Sequence, residues 1–301
     1  MDDNVASSTA FSVAQGVLLT TRRKQFNGLV KEEEKEFYTK LLTSTPEGQK
    51  KYNQVNGFVY RWVFPLMEKL LMPGLAAHYV LRKHTIEEYV HDAIKGGAKQ
   101  VVNLGAGFDS LCYRLSKQYT KVQFIEMDHP ATQDNKKQGI DRMANLANRD
   151  LSNLSLVPID FTKDTLKDTL TQYKGYDPKL PTIFIVEGVL MYLTPDEIGV
   201  LLSSVKELSK KGAHFIFTFV RPKEEGKHNY GPLLPLYLKI KSEPLNWTSK
   251  KDDISTFMLS HGFTLQSVLK SEDTFQKEMP GAGARLIHDG ELIADANHGW
   301  K

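Results

Sequence analysis

An open α/β sheet of about seven mostly parallel strands, with helices on both faces, is the fold the 301-residue chain predicts. Three observations lead there. Short apolar runs alternate with amphipathic stretches from residue 100 onward. The first run, Val101-Val102-Asn103-Leu104, turns at Gly105-Ala106-Gly107 and enters a helical pattern, Leu111-Cys112-Tyr113-Arg114-Leu115. Residues from about 5 to 95 read as helices.

Composition narrows the class. Hydrophobic residues make up 41% and charged residues 25%, which fits neither a disordered nor a membrane chain. The formal net charge is +3, and the densest basic run, Arg22-Arg23-Lys24, is offset by Glu32-Glu33-Glu34. No nucleic-acid groove is signalled. Cys112 is the single cysteine, so no intramolecular disulfide forms and a reducing compartment is expected. Its place after the turn suits a small buried packing residue. Met1-Asp2-Asp3-Asn4 lacks the layout of a signal peptide, and the apolar run from Ile183 to Leu193 is broken by Glu187. A cytoplasmic location without a membrane contact is the expectation.

Taken in order, Phe11, Ala14, Val17 and Leu18 share one helical face, and Glu33 to Leu42 forms a second helix ended by Thr45-Pro46. Tyr52 to Met72 reads as one long apolar helix that Pro65 kinks or splits. Ala76 to Ile94 is the last helix of the segment. Residues 1–97 carry too much apolar surface to stand alone and are read as a helical lid on a core formed by residues 98–301. Strands are expected at Val101–Leu104, Val122–Glu126, Leu154–Ile159, Ile183–Glu187, Phe215–Phe219, Thr264–Leu269 and Glu291–Ala296, and helices at 109–117, 130–147, 162–173, 195–210 and 250–261. Ser271 to Asp289 shows no crossover helix, so one of the last two strands should be antiparallel. The stretch 221–251 after the fifth strand is too long for an ordinary connection and is read as a second cover over the substrate side.

Ligands of open α/β sheets bind beyond the carboxyl ends of the strands, so the residues there carry the argument. The first strand ends in Gly105-Ala106-Gly107, the second in Glu126-Met127-Asp128, the third in Asp160-Phe161 and the fourth in Glu187-Gly188. Each alone is weak, since Asp160 equally suits a helix cap. Together they describe an adenosine site: acids for ribose hydroxyls, an acid and an aromatic for adenine. Ser110 stands where a dinucleotide turn prefers a third glycine, and no P-loop run is present. A cofactor with an amino group, a carboxylate and a sulfonium fits better, with Arg82 available for the carboxylate.

V-V-N-L-G-A-G-F-D-S-L-C-Y-R-L (101–115), F-I-E-M-D-H-P (124–130) and V-E-G-V-L-M-Y-L-T-P-D-E (186–197) resemble the leucine carboxyl methyltransferase family. The resemblance covers about 5 to 220. It implies a class I, Rossmann-like methyltransferase fold and S-adenosyl-L-methionine as cofactor. It places Gly105 and Gly107 against the methionine part, Arg82 at its carboxylate and Glu187 near its amino group. Glu126 and Asp128 fall in the family's ribose block, and Asp160 and Phe161 where adenine is held. Ser8-Thr9-Ala10 is similar to the bacterial O-methyltransferase branch. Thr9 stands where the phosphatase-modifying members carry a lysine, which weakens a protein-tail substrate.

The expected activity is O-methylation of a carboxylate or hydroxyl on a small molecule. The alternatives are a protein C-terminal carboxyl methyltransferase, an NAD(P)-dependent oxidoreductase, which Ser110 disfavours, and a cofactor-binding protein without turnover. Tyr192 is a candidate to face the methyl donor, with a half-buried aromatic as its plain role. Arg221 is a candidate to steer an anionic substrate, against pairing with Glu224 or Glu225. None of the nine histidines is marked as a base, no metal constellation appears, and no G-x-S-x-G elbow is present.

Overall fold

The computed structural model describes residues 7–222, 245–281 and 287–300. One sheet of seven strands has the order β3-β2-β1-β4-β5-β7-β6. Its strands are β1 (Gln100–Leu104), β2 (Gln123–Asp128), β3 (Leu154–Pro158), β4 (Thr182–Val186), β5 (Ala213–Val220), β6 (Thr264–Leu269) and β7 (Glu291–His298). Strands β1 to β5 pair in parallel, and β7 runs antiparallel between β5 and β6. The order reverses between β1 and β4, and open α/β sheets bind ligands beyond the carboxyl ends of the strands at such a reversal.

The two-residue period of the strands sorts their side chains onto two cores. Val102, Leu104, Ile125, Phe184, Val186 and Phe217 pack with α8 (Leu166–Gln172), α9 (Pro195–Leu208) and α10 (Asp253–Ser260). Val101, Phe124, Ile183, Ile185 and Ile293 face the other way, against α5 (Leu75–Lys95) and α6 (Leu111–Gln118). Helix α5 therefore forms part of the sheet's own layer through Ile86, Val90 and Ala93. A third core joins α1 (Ser8–Thr20), α2 (Glu32–Leu42) and α5 to Ile140 and Met143 of α7 (Pro130–Ala147). Phe11 of α1 meets Phe108 edge-on at 4.8 Å, which seats the first helix on the glycine turn.

The helix ends follow local chemistry. Thr194 accepts the Glu197 N–H and Glu197 reaches back to Thr194, a reciprocal cap behind Pro195. Thr45 accepts the Gly48 N–H with Pro46 in the first turn. That dipeptide therefore opens a helix, α3 (Pro46–Asn56), as well as ending α2. The long helix expected over Tyr52 to Met72 is instead two helices. The break falls at Gly57, whose extended backbone (ψ 141°) separates α3 from α4 (Phe58–Leu71). Pro65 stays inside α4 on its exposed side. Tyr60 and Phe64 turn inward, while Phe58, Trp62 and Leu66 are exposed. Glu68 ties α4 down by accepting the Ala76 N–H (2.8 Å) and pairing with Arg23 (2.5 Å).

A second difference lies in the stretch expected to lack a helix. Ser271–Glu278 forms α11, a short helix docked along α5. Thr274 Oγ1 lies 2.5 Å from Thr85 Oγ1, and His84 bonds Glu278 through Nδ1 (2.8 Å) and Glu34 through Nε2 (3.0 Å). His84 thus ties α2, α5 and α11 together. The last two strands are joined without a crossover, and β7 is the antiparallel one, as expected. Most of the stretch read as a second cover, 223–244, lies outside the described residues. Past it, Asn246 N–H donates to the Met191 carbonyl and Trp247 joins the core. No helix among the described residues is long and apolar enough to cross a membrane.

Burial alone would lower the His84 pKa, but the hydrogen bonds it donates to Glu278 and Glu34 outweigh it and raise it from 6.5 to about 9. A raised folded value means its contribution is full below about pH 6.5 and is lost as pH rises through about 9, an effect of about 3 kcal/mol. Urea titration of the native chain and His84→Gln should show a stability gap at pH 6.5 that closes by about pH 10. A gap that is the same at both values would count against the clamp.

Candidate active site

At the head of β1 the chain passes through Gly105 and Gly107, both with positive φ (65° and 48°). A Cβ at Gly105 would lie 2.6 Å from Val189 Cγ2, so only glycine fits beneath the loop after β4. Asp128, the last residue of β2, accepts the Gly107 N–H at 2.6 Å and the His129 N–H at 2.7 Å. Burial raises its pKa despite those bonds. The turn and the acid after β2 thus form one connected unit.

The loop after β4 brings a charged cluster against that unit. Arg82 of α5 donates from Nε to Glu187 Oε1 (2.8 Å) and from Nη1 to Glu291 Oε2 (2.6 Å), and its Nη2 lies 2.6 Å from Glu187 Oε1. Lys83 reaches Glu187 Oε1 (3.1 Å) and Asp109 Oδ1 (3.3 Å), the latter at the end of the glycine turn. Glu291 also accepts from His78 Nε2 at 2.8 Å, and His78 Nδ1 lies 2.8 Å from Ser271 Oγ. All these side chains are nearly or fully buried. For Arg82, burial disfavours the cation, but the two glutamates outweigh it and push its pKa up. Burial likewise works against the Glu291 carboxylate, and Arg82 and His78 more than reverse this, holding it below the usual range. Asp109 is held low by Lys83 in the same manner. Charge therefore stays on both sides of each pair.

Among the sequence-predicted residues, Arg82, Gly105, Gly107, Asp128 and Glu187 come together here. Glu126 does not. It is fully buried, 2.5 Å from Lys136 of α7, which is fully buried too. It shares the strand face of Asp128 but lies two residues deeper, below any ligand surface. Burial pushes the nearby Cys112 thiol up, and the charge of Glu126 adds to that. Cys112 is a buried core residue.

Asp160 caps no helix, since the helix expected from 162 begins at Leu166 behind Thr165; it closes a turn instead. It accepts from the Thr162 N–H (3.0 Å) and hydroxyl (2.6 Å) and pairs with Lys163 (2.8 Å). Its neighbour Phe161 is 46% exposed. Tyr192, half-buried in a 3-10 turn, accepts from Asn246 Nδ2 through its carbonyl at 2.7 Å. Arg221 donates its N–H to the Gly290 carbonyl (2.9 Å) and its guanidinium to the Asp289 carbonyl (3.3 Å). Glu224 and Glu225, the partners in its alternative role, lie outside the described residues. Lys83, Asp109, His78 and Glu291 were not singled out by sequence. Lys83 adjoins Arg82 and Asp109 adjoins the turn, so adjacency was their only signal.

A sheet of this order, with a glycine turn after β1 and acids after β2 and β4, defines the class of α/β proteins that bind nucleotide-type cofactors at a strand-order switch. The model of one family in that class, leucine carboxyl methyltransferase, matches residues 27–206. That is more than half of the chain, and the chain belongs to this family. YktD of Bacillus subtilis, assigned as an S-adenosyl-L-methionine-dependent methyltransferase, is 30% identical over 190 residues, 62% of this chain and 61% of that protein. A Mycobacterium marinum protein of the same description is 26% identical over 197 residues, covering 64% and 63%. The chain thus spans less than two thirds of the length of these relatives. In fold, it is similar to the crystal structure of a Thermobifida fusca protein assigned as a methyltransferase. There the TM-score is 0.58 over 87% of this chain and 93% of the other, at 14% identity.

Replacing Lys136 by Met would leave the Glu126 carboxylate buried without its cation, at an expected cost of about 3–5 kcal/mol. Lys136→Met with Glu126→Gln should recover part of that loss in chemical denaturation. Equal destabilisation in the single and double variants would contradict the pairing.

Proposed function

We propose that the chain transfers a methyl group from S-adenosyl-L-methionine to a carboxylate or hydroxyl oxygen of a small molecule. The observation that carries the reading is an imbalance of charge beside the glycine turn. Of the groups joined there by ion pairs, Asp109, Glu187 and Glu291 are acids, and Arg82 and Lys83 are permanent cations. A buried surplus of negative charge favours a cationic ligand group. When bound, S-adenosyl-L-methionine supplies an electrophilic methyl on a sulfonium, carried by an arm that ends in an ammonium and a carboxylate.

The residues present suit that arm. Glu187 is placed to accept the ammonium. Arg82 has five N–H donors, of which the contacts with Glu187 and Glu291 engage three, and the remainder suit the carboxylate. Asp128 keeps lone pairs beyond its two backbone bonds for ribose hydroxyls. The exposed ring of Phe161 suits adenine packing, with Asp160 fixing the turn that presents it. Helix α1 lies directly over the turn, since a Cβ at Gly107 would stand 3.5 Å from Ala10 Cβ. This supports α1, within the segment read as a lid, as a cover that excludes water, which a charge-neutralising displacement requires.

Tyr192 and Arg221 follow β4 and β5, neighbouring strands on the same edge. We assign the acceptor side to them, with Arg221 drawing an anionic substrate and Tyr192 lining its path. A carboxylate acceptor needs no general base, whereas a hydroxyl requires one within hydrogen-bond reach. Calorimetric titration should show binding of S-adenosyl-L-methionine and S-adenosylhomocysteine but not NAD. Arg82→Ala should weaken binding of the methyl donor by about 1.5–3 kcal/mol. Binding of NAD with none of the sulfonium would sink the proposal. Uptake of labelled methyl groups into metabolite extracts would then identify the acceptor.

A further inference from the structure

We infer that Glu291, held by His78, is a positioning residue that sets the plane of the Arg82 guanidinium for the cofactor's carboxylate. The inference rests on the methyl-donor reading and goes beyond it. Glu187 alone is a poor anchor for Arg82, because it is shared with Lys83, whose Nζ lies within 3.2 Å of both its oxygens. Both contacts from Arg82 to Glu187 fall on the single oxygen Oε1. A guanidinium held at one oxygen can still swing about it. Glu291 takes Nη1 from another direction and removes that freedom.

The second anchor is itself fixed. Glu291 pairs in register with Val220 of β5, so its backbone is locked into the sheet. Its Oε2 receives His78 Nε2–H as well as Arg82 Nη1–H. An ionised carboxylate only accepts, so His78 carries its proton on Nε2. Ser271 Oγ at Nδ1 fixes the ring, and α11, which carries Ser271, is itself docked on α5. On the remaining side, a Cβ at Gly188 would stand 3.7 Å from both Nη1 and Nη2. The missing side chain leaves the guanidinium terminus room for a ligand at the head of β4. Glu291 thus acts on a ligand only through Arg82.

The test is a pair of double-mutant cycles read by calorimetry with S-adenosyl-L-methionine. Glu291→Gln should weaken binding about tenfold, the loss of one charge-assisted contact of about 1.4 kcal/mol. In an Arg82→Ala background the same substitution should change the affinity less than about twofold. His78→Gln should repeat the pattern at about threefold and decides the matter if Glu291→Gln does not fold. A purely structural role would give equal losses in both backgrounds, and that result overturns the inference, as does unchanged affinity in a folded Glu291→Gln chain. If the native chain binds no S-adenosyl-L-methionine, the methyl-donor reading fails and this inference with it. If it binds and Arg82→Ala alone weakens it, only the role of Glu291 fails.

Discussion

Three consecutive cations in one buried helix impose the main constraint on this molecule. Arg82, Lys83 and His84 of α5 are all less than a tenth exposed. Successive helical residues point about 100° apart, so the three cannot share a partner direction. Each buried charge requires its own acids, or the energy of desolvation is unmet. The acids come from every side. Glu187 stands after β4 and Glu291 begins β7, facing Arg82. Asp109 closes the glycine turn beside Lys83. Glu34 and Glu278 reach His84 from α2 and α11. A helix that would otherwise only cover a sheet thereby fixes the positions of two strand ends, one turn and two neighbouring helices.

The same arrangement explains why so much of the fold was legible. Parallel strands buried on both faces read as apolar runs, and each was followed by polar turn chemistry. The elements that escaped reading are those held by tertiary contacts. Helix α11 has eight residues, of which only Phe275 is strongly apolar, and its place depends on polar contacts to α5. Such a short segment has little helix-forming tendency of its own. The break at Gly57 was hidden for the opposite reason, because the apolar character runs on through it.

The site was legible where it sits on parallel strands. A search of strand ends finds Asp128 and Glu187, since a parallel strand delivers its last residue to the crevice. It overlooks Glu291, because β7 is antiparallel and delivers its first residue to that edge. Strand parity also failed to separate Glu126 from Asp128. Both point to one face, and depth alone makes one a core ion pair and the other a partner of the glycine turn. Asp160 shows the reverse limit, for its short-range bonds to Thr162 and Lys163 hold a turn, and Thr165 caps the helix that follows.

The insertion of β7 between β5 and β6 has a consequence for biosynthesis. Glu291 leaves the ribosome more than two hundred residues after the Arg82 it neutralises. Until then the nascent sheet lacks the strand that completes β5, and the guanidinium has only an acid already shared with Lys83. Domains form as units during synthesis, and an unpaired strand edge invites wrong partners in the interval. Completion of the charged cluster therefore coincides with closure of the sheet, so a chain stalled before residue 291 would lack both an intact edge and an oriented arginine.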